Sequence, residues 1–305
     1  MKAHAYLLRT LAVLLAAIVP AVILLGHTHP TTYPPFAPHL DWPRLGAWGC
    51  CLLGLAALFV LAGLRIRGRV LGVLIDERNR YSLSRLQMSL WTLLVLATLY
   101  TVYIANIVRG DATTALMVDL DYNLITLMGF SLASFVSAPM ALSRKAEQPT
   151  DSGALASTGQ QLLDSQNLAS MPSANGQVLM KGNPQDARLA DLIRGEDVSN
   201  GTIVDLPRLQ MLLITLVVIL VYGAAVGHSL GSGYWVLQDL PKLHTTLLLL
   251  ALISHSGYVV GKLIPTSPNP AASGPMPAIE SQQPAPQAEA GAAQNQPAPG
   301  ALNPS

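Results

Sequence analysis

The chain has 305 residues, of which 51% are apolar and only 11% charged, with a formal net charge of +1. Soluble domains carry about 25% charged residues, so the composition argues against an ordinary soluble protein, and the near-zero charge against a nucleic-acid partner. Two adjacent cysteines, Cys50 and Cys51, lie inside an apolar run, imply no disulfide framework, and read as small packing residues.

A helix needs roughly 20 mostly apolar residues to cross ~30 Å of hydrocarbon. Six stretches qualify, Leu7–Gly26, Leu45–Leu64, Leu86–Val108, Leu124–Leu142, Leu209–Gly227 and Thr245–Ile264, so the expected fold is all-α, a polytopic membrane bundle of about six helices. Residues 1–64 form an N-terminal two-helix hairpin. Lys2 and Arg9 precede its first apolar run as in a signal peptide, but no small-x-small pattern precedes His27 and the run is long. A retained helix kinked at Pro20 is therefore expected. His27, His29 and His39 in the following loop have no cysteine or carboxylate at ligand spacing and read as solvated; no metal or other cofactor is expected.

The connector 65–85 carries Arg65, Arg67, Arg69, Arg78, Arg80 and Arg85 among Val70, Leu71, Val73, Leu74 and Ile75. It is expected to lie at the membrane surface, with Arg65, Arg67, Arg69 and Arg85, and Arg208 further on, gripping headgroups at roughly 1 kcal/mol each. Residues 86–142 form a membrane hairpin. Residues 143–208 read as a linker, flexible over the Ser-, Gln-, Ala- and Gly-rich stretch 146–184. A short amphipathic helix is predicted over 184–194, with Asn183 as cap, Pro184 in the first turn and Leu189, Leu192 and Ile193 as its stripe. Residues 209–264 form a second membrane hairpin. Residues 265–305 hold ten of the chain's 22 prolines and bury too little to fold, so a disordered tether is expected.

Basic residues set the orientation. The connector, the linker, Lys2 and Arg9 at the start of the N-terminal run, and Lys262 place 15 of the 18 on one side. Only Arg44, Arg109 and Lys242 fall on the other, beside Asp41, Asp111, Asp119, Asp121 and Asp239. The basic side is therefore expected to be cytoplasmic, and with it both chain ends.

An internal repeat links the two later hairpins. Leu83–Val95 matches Leu206–Val218 at nine of thirteen positions, an offset of 123 that includes Arg-Leu-Gln-Met in both copies. Ser82 and Asp205 stand at the cap position of each. In the following helices Ser131, Ser134 and Ala138 align with Ser254, Gly257 and Gly261, each set along one face. Small residues let helix backbones approach in lipid, which marks these positions, with Gly223 and Gly227, as packing faces. The repeat is parallel, and puts Arg85 with Arg208 and Gln87 with Gln210 at matching depths.

The phrases Ser82-Leu83-Ser84-Arg85-Leu86-Gln87-Met88 with Leu90-Trp91-Thr92, Leu127-Met128-Gly129-Phe130-Ser131 and Ile253-Ser254-His255-Ser256-Gly257-Tyr258 resemble phrases of uncharacterised bacterial multi-pass inner-membrane proteins. The resemblance covers residues 75–142 and 185–263, and implies a bacterial inner-membrane location and no mechanism.

His255 sits mid-span, where an ionisable group is expensive and a functional role is the first hypothesis. With Ser254, Ser256, Gln87 and Gln210 it forms the candidate intramembrane polar site; a structural interhelical hydrogen bond is the bland alternative. No span has Asp, Glu, Lys or Arg at its centre, and no zinc-protease helix, serine elbow or phosphate loop occurs. The chain is thus expected to be a non-enzymatic assembly component of the membrane, self-associating or bound to other membrane proteins; the alternative is a channel or transporter with a path between the repeated hairpins.

Overall fold

The computed structural model describes residues 2–27, 40–109, 113–232, 234 and 236–263. His29, His39, Asp111 and the expected tether of 265–305 lie outside them. The described residues form a helical bundle: α1 (Lys2–His27), α2 (Trp42–Arg67), α3 (Leu83–Arg109), α4 (Tyr122–Ala146), α5 (Ser152–Gln166), α6 (Leu206–Gly231) and α7 (Thr245–Leu263). Five of them, α2, α3, α4, α6 and α7, are long and apolar enough to cross a membrane, and α1 contributes a shorter apolar stretch, Thr10–Leu24.

Helix ends follow from local chemistry. Asp41, Asp121 and Asp205 cap α2, α4 and α6 by accepting the backbone N–H three residues on, each satisfying a donor the helix leaves free. Pro43 and Pro207 occupy first-turn positions where no N–H is needed. α2 stops at Gly68, whose φ of +66° lets its N–H turn back to the Leu64 carbonyl.

α3 is the central helix, half buried along its span. Ser84, Gln87, Trp91, Leu94, Thr98, Thr101 and Ala105 repeat at alternating steps of three and four, one continuous face, and all are buried. α1 runs antiparallel along α2, with Leu15 beside Gly54 and Val22 beside Gly46. Cys51 is buried there among Val19, Ile23 and Ala47, as a small packing residue. Trp91, Leu124, Val218, Tyr222 and Leu248 centre the larger core between the two later hairpins.

At one end of the bundle the chain between α4 and α6 forms a module, and here the flexible linker expected over 146–184 is corrected. That stretch holds α5 and an antiparallel hairpin, β1 (Ser173–Asn175) with β2 (Val178–Met180). Its polar composition hid three buried apolar anchors, Leu162, Leu168 and Leu179, which make a small core with Val198 further on. The helix expected over 184–194 is also corrected. Two 3₁₀ turns, Pro184–Asp186 and Leu189–Leu192, flank an extended Ala187 and Arg188. Asn183 does cap the first, but Lys181 and Arg80 draw Asp191 inward, which breaks the helical stripe.

The connector 65–85 folds back under α2. Gly63 and Gly72 meet backbone to backbone, so a Cβ on Gly63 would lie 2.7 Å from the Gly72 nitrogen. At the opposite end, the loops after α3 and α6 zip together through Asp119 N–H to the Gln238 carbonyl at 2.7 Å.

Among the expected packing residues, Ser131, Ser134 and Ala138 are buried on α4, which packs along α7. Gly223 and Gly227 face Leu94 and Trp48, at 3.7 and 3.3 Å from an ideal Cβ. Gly257 and Gly261 are exposed, and Gly257 has no neighbour within 4 Å of its Cβ position. Within this chain the pair packs against no helix: α7 turns its His255–Tyr258–Lys262 face inward and the glycines outward.

Candidate functional site

Four helices of the two hairpins each send one polar side chain to a common point: Gln87 from α3, Ser131 from α4, Thr215 from α6 and His255 from α7. His255 Nδ1 lies 2.7 Å from the Ala251 carbonyl, which assigns the proton to that nitrogen. Nε2 then accepts from the Gln87 amide at 2.6 Å, and the second amide proton goes to Thr215 Oγ1 at 3.0 Å. Ser131 Oγ is 3.3 Å from the same Nε2 and 3.0 Å from the Leu127 carbonyl. The node is a neutral imidazole held by an amide. Gln87 Oε1 is left buried with no partner among the described residues, as are Trp91 Nε1, Thr101 Oγ1, Tyr222 Oη and Ser254 Oγ. Buried polar atoms are rarely left so, and five inside an apolar bundle make this a polar interior.

A turn nearer the module, Tyr258 Oη meets Ser84 Oγ at 2.9 Å. The Tyr258 ring lies 4.9 Å from the Lys262 ammonium and 5.8 Å from the Arg208 guanidinium. Both cations reach Glu196 of the module: Lys262 donates at 2.8 Å, Arg208 donates in close contact, and Arg78 of the connector donates at 2.8 Å. Arg78 also grips Asp76 at 2.6 Å. Burial alone would raise the Glu196 carboxyl, but Arg208, Arg78 and Lys262 hold it well below the usual carboxylate range. Two further buried pairs brace the module, Lys181 with Asp191 at 2.8 Å and Lys145 with Asp197 at 2.9 Å. Burial pushes the Lys181 ammonium down to about 8 against the pull of Asp191.

Of the expected polar site, the structure joins His255 with Gln87 alone. Ser254 is buried without a partner, and Ser256 is exposed and bonded to the Leu252 carbonyl of its own helix. Gln210 is exposed, not matched with Gln87. The inward face of α6 runs Arg208, Met211, Thr215 and Val218, which the repeat offset maps to 85, 88, 92 and 95, whereas α3 turns 84, 87, 91, 94 and 95 inward. One residue of register is about 100° of helix rotation, so equal sequence meets unequal surroundings.

The headgroup set divides as well. Arg208 is 2% exposed and ion-paired, which corrects its assignment to the membrane surface. Arg67 bonds the Asp76 carbonyl at 3.3 Å and Arg69 the Gln185 carbonyl at 2.6 Å, so both bind the module end of the chain itself. Arg65 is exposed, and Arg85 is half-buried with no side-chain partner among the described residues.

Thr215, Ser131 and the Glu196 cluster were absent from the sequence-derived site. Tyr258 and Lys262 follow His255 at steps of three and four, a spacing that was legible; Glu196 carries no such signal. Among the described residues no group of three or more His, Cys, Asp or Glu is placed to hold a metal. Comparison with protein-family profiles, curated proteins and solved structures finds no match for the chain.

Proposed function

We propose that this chain is a non-enzymatic, multi-pass component of a membrane assembly, which holds a folded module fixed against the membrane surface as a docking platform. The observation that carries this reading is Glu196, where one carboxylate of the module collects Arg78 of the connector, Arg208 of α6 and Lys262 of α7. A module so bound moves with the helices, as a platform must. In the full topology α1 is a sixth span, and module and both chain ends lie in the cytoplasm of a bacterial inner membrane, in keeping with the one-sided basic residues. The hairpins α3–α4 and α6–α7 derive from one duplicated unit, supported by the shared Arg-Leu-Gln-Met. The lipid-facing Gly257 and Gly261 supply the contact with a second copy or another membrane protein. Native mass spectrometry in mild detergent tests this: a complex that loses subunits on Gly257→Leu with Gly261→Leu supports it, and a solely monomeric chain overturns it.

A second reading, a channel or transporter, is favoured by the convergence of Gln87, Ser131, Thr215 and His255 between the hairpins. Flux into liposomes that His255→Ala abolishes would replace the first reading; no flux under any gradient removes the second.

A further inference from the structure

A cleft of about 250 Å³ opens at the module end, between the connector, the start of α3, α4 and β2. Its inner wall is Phe135, Ala138, Pro139 and Leu142 of α4, and its rim carries Arg85 and Arg78. Phe135 stands eleven residues before Ala146, so the wall descends ~16 Å along a helix of spanning length, to the depth of lipid tails. Pro139 has no N–H to give the Phe135 carbonyl, so even the backbone there is unfinished.

The charges at the rim leave a cation over. Asp76 and Glu196 are taken up by Arg78, Arg208 and Lys262. Arg85 has no side-chain partner among the described residues, and Arg78 Nη1 is buried without one. The opposing charge is Glu77, exposed on the same rim.

We infer that this cleft is a binding site for an anionic phospholipid, its phosphate on Arg85 and Arg78 Nη1 and one acyl chain along Phe135, Pro139 and Leu142. The apolar depth suits a chain, and the surplus guanidinium suits an anion. A free phosphate would satisfy the rim and leave the wall empty.

The test uses the full chain in nanodiscs of phosphatidylglycerol and, in parallel, phosphatidylcholine, with lipid retained after detergent extraction counted by native mass spectrometry. Phosphatidylglycerol should be retained preferentially. Arg85→Gln should lower that preference about fivefold, Arg85→Lys should restore part of it, and Glu77→Gln should raise it. Arg188→Gln, outside the cleft and bonded to the Gln185 and Gln166 carbonyls, should leave it unchanged. Equal retention of both lipids, an Arg85→Gln protein that holds phosphatidylglycerol as tightly as the parent, or complete displacement by inorganic phosphate would each overturn the assignment.

Discussion

Lys262 donates to the Glu196 carboxylate at 2.8 Å, which ties the last turn of α7 to the module between α4 and α6. Both side chains are 5% exposed, and the same carboxylate oxygen takes Arg78 and Arg208. Buried charges cost several kcal/mol each to desolvate, so this cluster is stable only while the charges balance.

Removing the anion should therefore do more harm than removing any one cation. Glu196→Gln keeps the shape but leaves three cations facing each other, and should cost about 3–5 kcal/mol. Lys262→Met should cost less, because Arg78 and Arg208 still neutralise Glu196. Thermal unfolding in detergent, with proteolysis of the module as a second readout, should rank the two in that order; the reverse ranking would mean that Glu196 is not the centre.

The same carboxylate sets the acid limit. Its folded pKa is depressed below the ordinary value of 4.5, so the stability it contributes is fully present above that pH and is lost as pH falls through the folded value. Asp76, lowered from 3.8 by Arg78 and its hydrogen bonds although burial opposes them, acts in the same direction. Unfolding temperature should be flat from neutral pH to about 4.5 and fall below it, and Glu196→Gln should flatten that fall.

At the intramembrane node the imidazole and the amide should be coupled. Gln87→Leu and His255→Leu each strand the other partner, while the double variant strands neither. A double-mutant cycle should give a coupling of about 0.6–1.7 kcal/mol, the range of interhelical hydrogen bonds in lipid. Additive losses would mean the 2.6 Å contact carries no energy.

The apolar runs were legible because lipid imposes length and hydropathy on a helix independently of its neighbours; α2, α3, α4, α6 and α7 all follow that constraint. The cap at Asp205 is local and equally readable. Which side of a helix faces inward was not, since in lipid the inward face is no more apolar than the outward one. Hence Gln87 is buried and Gln210 exposed within identical Arg-Leu-Gln-Met phrases. The module was missed for a related reason. Its fold hangs on few apolar anchors and on pairs distant in sequence, such as Lys145 with Asp197, which composition cannot reveal.

Asn106 offers the sharpest test of the opposite end. It is 1% exposed at the end of α3; its Oδ1 accepts the Leu237 N–H at 3.1 Å, and its Nδ2 donates to the Leu237 and Ala115 carbonyls at 2.7 and 3.3 Å. One amide thus satisfies both backbone groups of Leu237, which would otherwise be buried without partners. Asn106→Ala should cost about 1–3 kcal/mol for each group stranded. Asn106→Asp, although isosteric, should be worse than Ala. It keeps the acceptor for the Leu237 N–H but turns the two donated bonds into a carboxylate facing two carbonyls, and a buried carboxylate so placed either stays charged at high cost or takes up a proton. Hydrogen exchange at Leu237 should speed up in both variants, and the Asp variant should recover toward the parent as pH is lowered while the Ala variant should not. Equal exchange in the Ala variant and the parent would mean that the loop is held by the Asp119–Gln238 contact alone.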